Sequence, residues 1–442
     1  MAELVMQFLG RLKNGKGIGA IFARGAVRSF SAKALGLGIG FLLQILMARA
    51  LGIEQFGIYA FALSWINVLL FLVVLGTDKA ILRFLPTYQL SESIAQMAGL
   101  LRWATLRTLI AGLAVCLAIL GYLTFFAAAE DQDLIKTMAL AAVLLPFFGL
   151  SQLRQAGLNA MKQVFRAELA DTFLRPILLI SLVVYWVWFH KEPLVAYQAM
   201  LMQLGAVVVS FLIGTRWLML ALPDTTRRTD PIYDVKVWQS MALPMMIVAG
   251  IQILLKQTDV IMLGIITSTT ESGIYSVMVR LSNFAMFGLA AVNAMAAPMI
   301  AELHASGQKA ALQRVVTLAV RGSVLFMLAA SALLVIFVEP ITALYGQGFN
   351  IGLIAFYILL IGQAVNAATG PVGFIMSMTG HQMLLAKVQG ASAVLNILLN
   401  MVLIPRYGLE GAAIATAISM ATWNVWLLIY VRKILKIRIS PL

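Results

Sequence analysis

The sequence predicts an all-α polytopic membrane protein, with about twelve transmembrane helices in two six-helix lobes related by pseudo-two-fold symmetry. Three observations lead there. Of the 442 residues, 62% are apolar and only 11% are charged. A soluble domain is roughly a quarter charged and about half apolar, so lipid must solvate most of this chain. Apolar stretches near the length of a membrane span recur from end to end, separated by short polar punctuation. One stretch of the first half also returns in the second. This excludes a cytosolic enzyme, a secreted disulfide scaffold and a free nucleic-acid binder.

Residues 1–28 mix Leu4, Phe8, Leu9 and Leu12 with Arg11, Lys13, Lys16, Arg24 and Arg28. The apolar block is too short to span and no small-residue cleavage site follows it. It reads as an amphipathic segment on the cytoplasmic membrane face, with a disordered basic tail as the alternative. The first lobe, 29–222, holds spans at 32–51, 56–75, 101–126, 138–158, 174–189 and 195–222. A basic cytoplasmic linker, 223–239, leads to the second lobe, 240–434. Its spans are 241–266, 274–300, 315–338, 351–376, 384–404 and 411–431, and 435–442 form a cytoplasmic tail.

An even number of spans puts both termini on one side. Twenty-five of the 32 basic residues, Arg154 and Arg175 among them, fall on the N-terminal segment, the even-numbered loops and the tail. The odd-numbered loops and their flanks hold only Arg49, Lys136, Lys191 and Arg406. The positive-inside rule then makes both ends cytoplasmic, and the reading places the chain in a plasma (inner) membrane. The three basic residues left over, Lys33, Lys256 and Arg280, sit inside spans.

Around the first hairpin the chain reads Leu51-Gly52, then Phe56-Gly57-Ile58-Tyr59. Around the fourth hairpin it reads Leu263-Gly264, then Gly273-Ile274-Tyr275, so the two tyrosines lie 216 positions apart. Each copy follows the first span of its half. Such duplication about an axis along the membrane normal is how transporters expose one site to alternate sides.

A charge at mid-bilayer is costly and normally faces a cavity or a partner. Lys256 and Asp259 share one face of the seventh span. Counting inward at ~1.5 Å per residue puts Asp259 about 10 Å deep, Arg280 about 13 Å and Lys256 about 15 Å. Asp259 is expected to pair with Arg280 or Lys256, leaving net positive charge towards a cavity; a purely structural ion pair is the competing reading. Lys33 either joins them from the first lobe or snorkels to the headgroups, and the same choice holds for Arg49 at the outer end of that helix. Asp78, followed directly by Lys79, is the only other acid expected near the hydrocarbon. A cationic cavity suits a phosphate or pyrophosphate group. Gln363, Asn366, Asn396 and Asn400 form either a polar sleeve for a sugar head group or interhelical hydrogen-bond glue.

No glycine-rich phosphate loop, Ser/His/Asp set or paired carboxylates appear, so the sequence offers no catalytic residues. Cys116 is the single cysteine, and the three histidines are far apart, so neither a metal nor another cofactor is expected.

Several motifs are familiar together. Ala48-Arg49-Ala50-Leu51-Gly52 with Phe56-Gly57-Ile58-Tyr59 resembles the first hairpin of polysaccharide (O-antigen) repeat-unit flippases. These form the polysaccharide transporter branch of the multidrug/oligosaccharidyl-lipid/polysaccharide (MOP) exporter superfamily. Gln257-Thr258-Asp259 with Gly273-Ile274-Tyr275, Leu344-Tyr345-Gly346-Gln347-Gly348-Phe349, Thr369-Gly370-Pro371 and Asn400 through Gly408 resemble the same family in order and spacing. The resemblance implies a V of two lobes around a cationic cavity. It further implies a polyprenyl-pyrophosphate-linked oligosaccharide as cargo, moved to the outer leaflet by alternating access for lipopolysaccharide or exopolysaccharide export. Protons, sodium and the membrane potential all stay open as the driving force, and other glycan-assembly proteins as partners. It does not transfer a fixed set of binding residues. Two other functions stay in view: a multidrug or organic-cation antiporter on the same scaffold, and a membrane polymerase or ligase of the same glycan pathway.

Overall fold

The computed structural model describes residues 18–126, 131–190 and 192–437, with most side chains from Leu35 onwards. The first seventeen residues of the expected amphipathic segment lie outside the described residues. Every long element is helical, and the described residues contain no strand.

Helix α1, Ile18–Val74, is interrupted at Gly52, whose φ of 73° and ψ of 172° turn the chain. Only glycine adopts that backbone without strain, so one long apolar run becomes two legs. The same device divides the last helix, α13, Gln382–Tyr430, at Gly408, where φ is 52°. Between them run α2, Thr77–Leu90; α3, Ile94–Phe126; α4, Gln132–Ala160; α5, Val164–Phe189; and α6, Ala196–Ala221. The second half continues with α7, Val235–Ile266; α8, Thr269–Phe284; α9, Phe287–Ala305; and α10, Lys309–Tyr345. Then come α11, Leu353–Thr369, and α12, Val372–Met378.

Among the described residues, nine helices are long and apolar enough to cross a membrane. Two of them are the hairpins at Gly52 and Gly408, and the eighth expected span is split into α8 and α9. Ten of the twelve expected spans each lie on one helical leg; the eighth is divided as above, and the tenth, 351–376, is broken at Gly370 between α11 and α12. Two departures matter. Residues 77–90, expected as a loop, form an amphipathic helix that buries Thr77, Ala80, Ile81 and Leu85. The fifth span begins ten residues earlier than hydropathy indicates, at Val164, and carries a π-helical turn over Leu169–Leu174.

Helix α1 packs against both α7 and α8, bringing the two halves together. At the end that holds the Gly52 and Gly408 turns, the contact is tight. Gly57 and Gly273 touch, Phe56 meets Phe349 edge to face at 5.7 Å, and Arg49 Nε donates to the Leu344 carbonyl at the end of α10 (2.7 Å).

Candidate functional site

Away from that closed end the halves part around a cavity of about 1160 Å³. Its lining stops at Met47, Phe56 and Ser276 near the closed end and runs to Gly36, Glu168, Gln252 and Gln389 in the other direction. Three basic residues, Arg175, Lys256 and Arg280, and two acidic ones, Glu168 and Asp259, line it. The described lining therefore carries one net positive charge.

Arg280, on α8, reaches across to α1: its Nη1 donates to Gln44 Oε1 (2.9 Å) and to the Gly40 carbonyl (3.4 Å). Tyr345 also donates to Gln44 Oε1 (3.4 Å). A guanidinium has five N–H donors, so most of the fork is uncommitted among the described residues. Lys256 is exposed to the cavity, and no described residue forms a hydrogen bond or ion pair with it.

Arg175 is the residue that sequence reasoning missed. It was assigned to a cytoplasmic loop; it sits in α5, about 16 Å from the start of that helix at 1.5 Å per residue, and its guanidinium lies over the Phe148 ring at 5.1 Å. The π-turn before it splits the polar residues of α5 between two sides. Glu168 and Thr172 face the cavity and hydrogen-bond each other at 2.8 Å, whereas Asp171 turns back to an ion pair with Arg154 of α4. Arg154 is 3% exposed and also donates to the Ser210 carbonyl (2.8 Å). Arg154 thus lies on α4, and Glu168, Asp171 and Arg175 lie on α5, rather than in the loop between them. The signal was present: a span of 174–189 is short for a bilayer, and extending it towards the N-terminus puts Arg175 inside the helix and takes in Asp171, Glu168 and Arg166.

Asp259 corrects another expectation. Neither Arg280 nor Lys256 pairs with it. Its carboxylate accepts from Asn400 Nδ2 (2.6 Å), Tyr275 Oη (3.1 Å) and Thr416 Oγ1, and it is 4% exposed. Asn400 Nδ2 also reaches Asn396 Oδ1 at 3.2 Å, and Asn396 donates to Ser419 Oγ at 3.4 Å. Asn400 and Asn396 are therefore buried supports of Asp259, not cavity lining. Asn400 Oδ1 is buried without a hydrogen-bond partner, an unmade acceptor beside a carboxylate.

Gln363 and Asn366 do line the cavity; Gln363 donates to Asn283 Oδ1 (2.9 Å) and Asn366 to Gln363 Oε1 (3.4 Å). Arg49 lies outside the cavity, spent on the carbonyls of Leu344 and Ala343. Asp78 also lies outside it, paired with Lys79 at 2.9 Å. The side chain of Lys33 falls outside the described residues.

The repeat has a structural meaning. Tyr59 donates to Gln203 of α6 at 3.4 Å, as its counterpart Tyr275 meets Thr416 on the last leg of α13 at 3.2 Å. Asn67 and Asn283, again 216 positions apart, both line the cavity.

A chain whose described elements are all helical, and whose related halves meet around a net-cationic cavity, belongs to a recognisable class, and its fold is that of the MOP-superfamily transporters. An inward-facing multidrug resistance transporter of the MATE family in that superfamily superposes with a TM-score of 0.73, at 15% identity, over 89% of this chain and 93% of that one. The lipid II flippase MurJ, in an inward closed conformation, superposes with a TM-score of 0.66, at 14% identity, over 91% of this chain and 87% of that one. The family model described as polysaccharide biosynthesis protein matches residues 22–304, and the chain belongs to that family. A relative from Haloferax volcanii, named probable low-salt glycan biosynthesis flippase Agl15, is 26% identical over 168 residues. That match covers 38% of this chain and 36% of the relative.

Proposed function

We propose that the protein is a flippase, not an enzyme. In this reading it carries a polyprenyl-pyrophosphate-linked oligosaccharide from the cytoplasmic to the outer leaflet of the plasma membrane by alternating access. The observation that supports it is the meeting of Arg175 from the first half with Lys256 and Arg280 from the second on one cavity. Both cavity carboxylates are already engaged, Asp259 by three donors and Glu168 by Thr172. A pyrophosphate leaving water needs several fixed donors in return, and guanidinium forks supply them bidentately.

In this reading residues 29–222 and 240–434 are two rocking lobes, 223–239 is their linker, and both termini are cytoplasmic. The Gly57–Gly273 seal then faces outward and the state is inward-facing. The head group crosses through the cavity while the prenyl tail stays in lipid, between the first leg of α1 and α8. Asp259 is the coupling site: a carboxylate flanked by an unmade acceptor suits a proton or sodium ion.

The fold of the multidrug transporter favours a second reading, an organic-cation antiporter. The net positive cavity opposes it, since a cationic cargo wants free carboxylates. Reconstitution in liposomes separates the two. Translocation of a defined polyprenyl-pyrophosphate sugar should occur, and should fall sharply in Arg175→Gln, Lys256→Gln and Arg280→Gln. Organic-cation transport, or unchanged sugar-lipid rates in all three variants, would overturn the flippase reading.

A further inference from the structure

We infer that the second-half wall of the cavity carries a pyranose subsite, formed by Gln252, Gln389 and Trp423, which holds the sugar next to the pyrophosphate. This rests on the flippase reading and assigns the part of the cargo that the basic residues leave unrecognised.

The three side chains line the same cavity, and two of them are hydrogen-bonded. Gln252 Nε2 of α7 donates to Gln389 Oε1 of α13 at 2.9 Å. The Asn396–Ser419 hydrogen bond sets the register between the two antiparallel legs of α13. Gln389 lies seven residues from Asn396 and Trp423 four from Ser419, both towards the open part of the cavity. At about 1.5 Å per residue these are roughly 10 and 6 Å, less than one helical turn apart.

The chemistry of the group fits a sugar ring. The bond between the glutamines leaves Gln252 Oε1 free to accept and both Gln389 N–H groups free to donate among the described residues. Neighbouring hydroxyls of a pyranose present a donor and an acceptor to such a pair. Trp423 offers an aromatic surface for the C–H face of the ring. Lys256, one turn from Gln252 on the same face of α7, sits where a phosphate joined to that sugar would lie. No carboxylate belongs to the group, so nothing in it competes for the donors.

The test compares two probes on purified protein in nanodiscs: a polyprenyl pyrophosphate bearing one hexose, and the same lipid without the sugar. The parent protein should bind the hexose lipid about tenfold more tightly, ~1.4 kcal/mol. Gln252→Ala and Trp423→Ala should erase that advantage while the sugarless lipid binds as before, which also shows that the variants are folded. Trp423→Phe, which keeps an aromatic face, should retain part of it. Equal binding of the two lipids by the parent, or variants that weaken both lipids alike or neither, would overturn the subsite. A parent that fails to bind the sugarless lipid would overturn the flippase reading itself, a result read before any variant is made.

Discussion

Gly57 and Gly273 occupy the same position in the two halves of the repeat and lie against each other across the seam. A methyl group at Gly273 would sit 2.6 Å from the Gly57 Cα, closer than two carbons can approach. The seal at this end is therefore backbone on backbone. The motif that betrays the duplication in the sequence is the surface by which the halves meet.

Gly273→Ala should wedge this seal, with an overpacking cost of about 1–3 kcal/mol. Ile53, whose side chain lies against Gly348 beside the seam, reports on it. In a background lacking Cys116, a cysteine replacing Ile53 should react faster with a polar thiol reagent when Gly273 carries the extra methyl. Equal rates would show that the helices absorb it without parting.

Asp259→Asn should destabilise the protein, because a carboxamide nitrogen would face the donors of Asn400, Thr416 or Tyr275. An unmet buried donor costs about 1–3 kcal/mol. Thermal unfolding should show a lower midpoint and the loss of whatever sodium or pH dependence the parent displays. A midpoint that still follows sodium or pH would place the coupling ion elsewhere.

Arg154→Met alone should cost about 3–5 kcal/mol, because it strands the Asp171 carboxylate, which is largely buried against α4, without its partner. Adding Asp171→Leu should recover most of the loss, since an apolar pair needs no neutralising partner. Melting temperatures of the single and double variants decide this; a double variant no better than the single would assign the effect to the lost Ser210 contact instead.

Lys256→Arg should retain transport of the sugar lipid, whereas Lys256→Gln should lose it by about tenfold or more, equivalent to ~1.4 kcal/mol or more of barrier. The opposite order in a liposome flux measurement would mean that shape or hydrogen bonding, not charge, is what the cargo needs from this position.

The helical legs and the places of Lys256 and Arg280 on the seventh and eighth of them were legible in the sequence, because both follow from the length of apolar runs. Arg175 was not. Hydropathy averages over a window, so Arg175, with Glu168 and Asp171 just before it, reads as the polar edge of a span and not as part of its helix. The partner that neutralises Asp171 is Arg154 on another helix, which no local pattern reveals. Asp259 was found for the same reason as Lys256, but its partners were misjudged. Charge arithmetic favours a cation nearby, whereas the fold supplies a phenol, a hydroxyl and a carboxamide from α8 and α13.

The π-turn at Leu169–Leu174 makes α5 sensitive to the insertion or deletion of a single amino acid. Such turns are local expansions of an α-helix, and removing one residue would rotate everything after it by about 100°. Arg175 would swing off the chamber without any change in its identity. Among homologues, an indel of one in this turn would thus be a stronger sign of altered cargo than many replacements elsewhere on the helix.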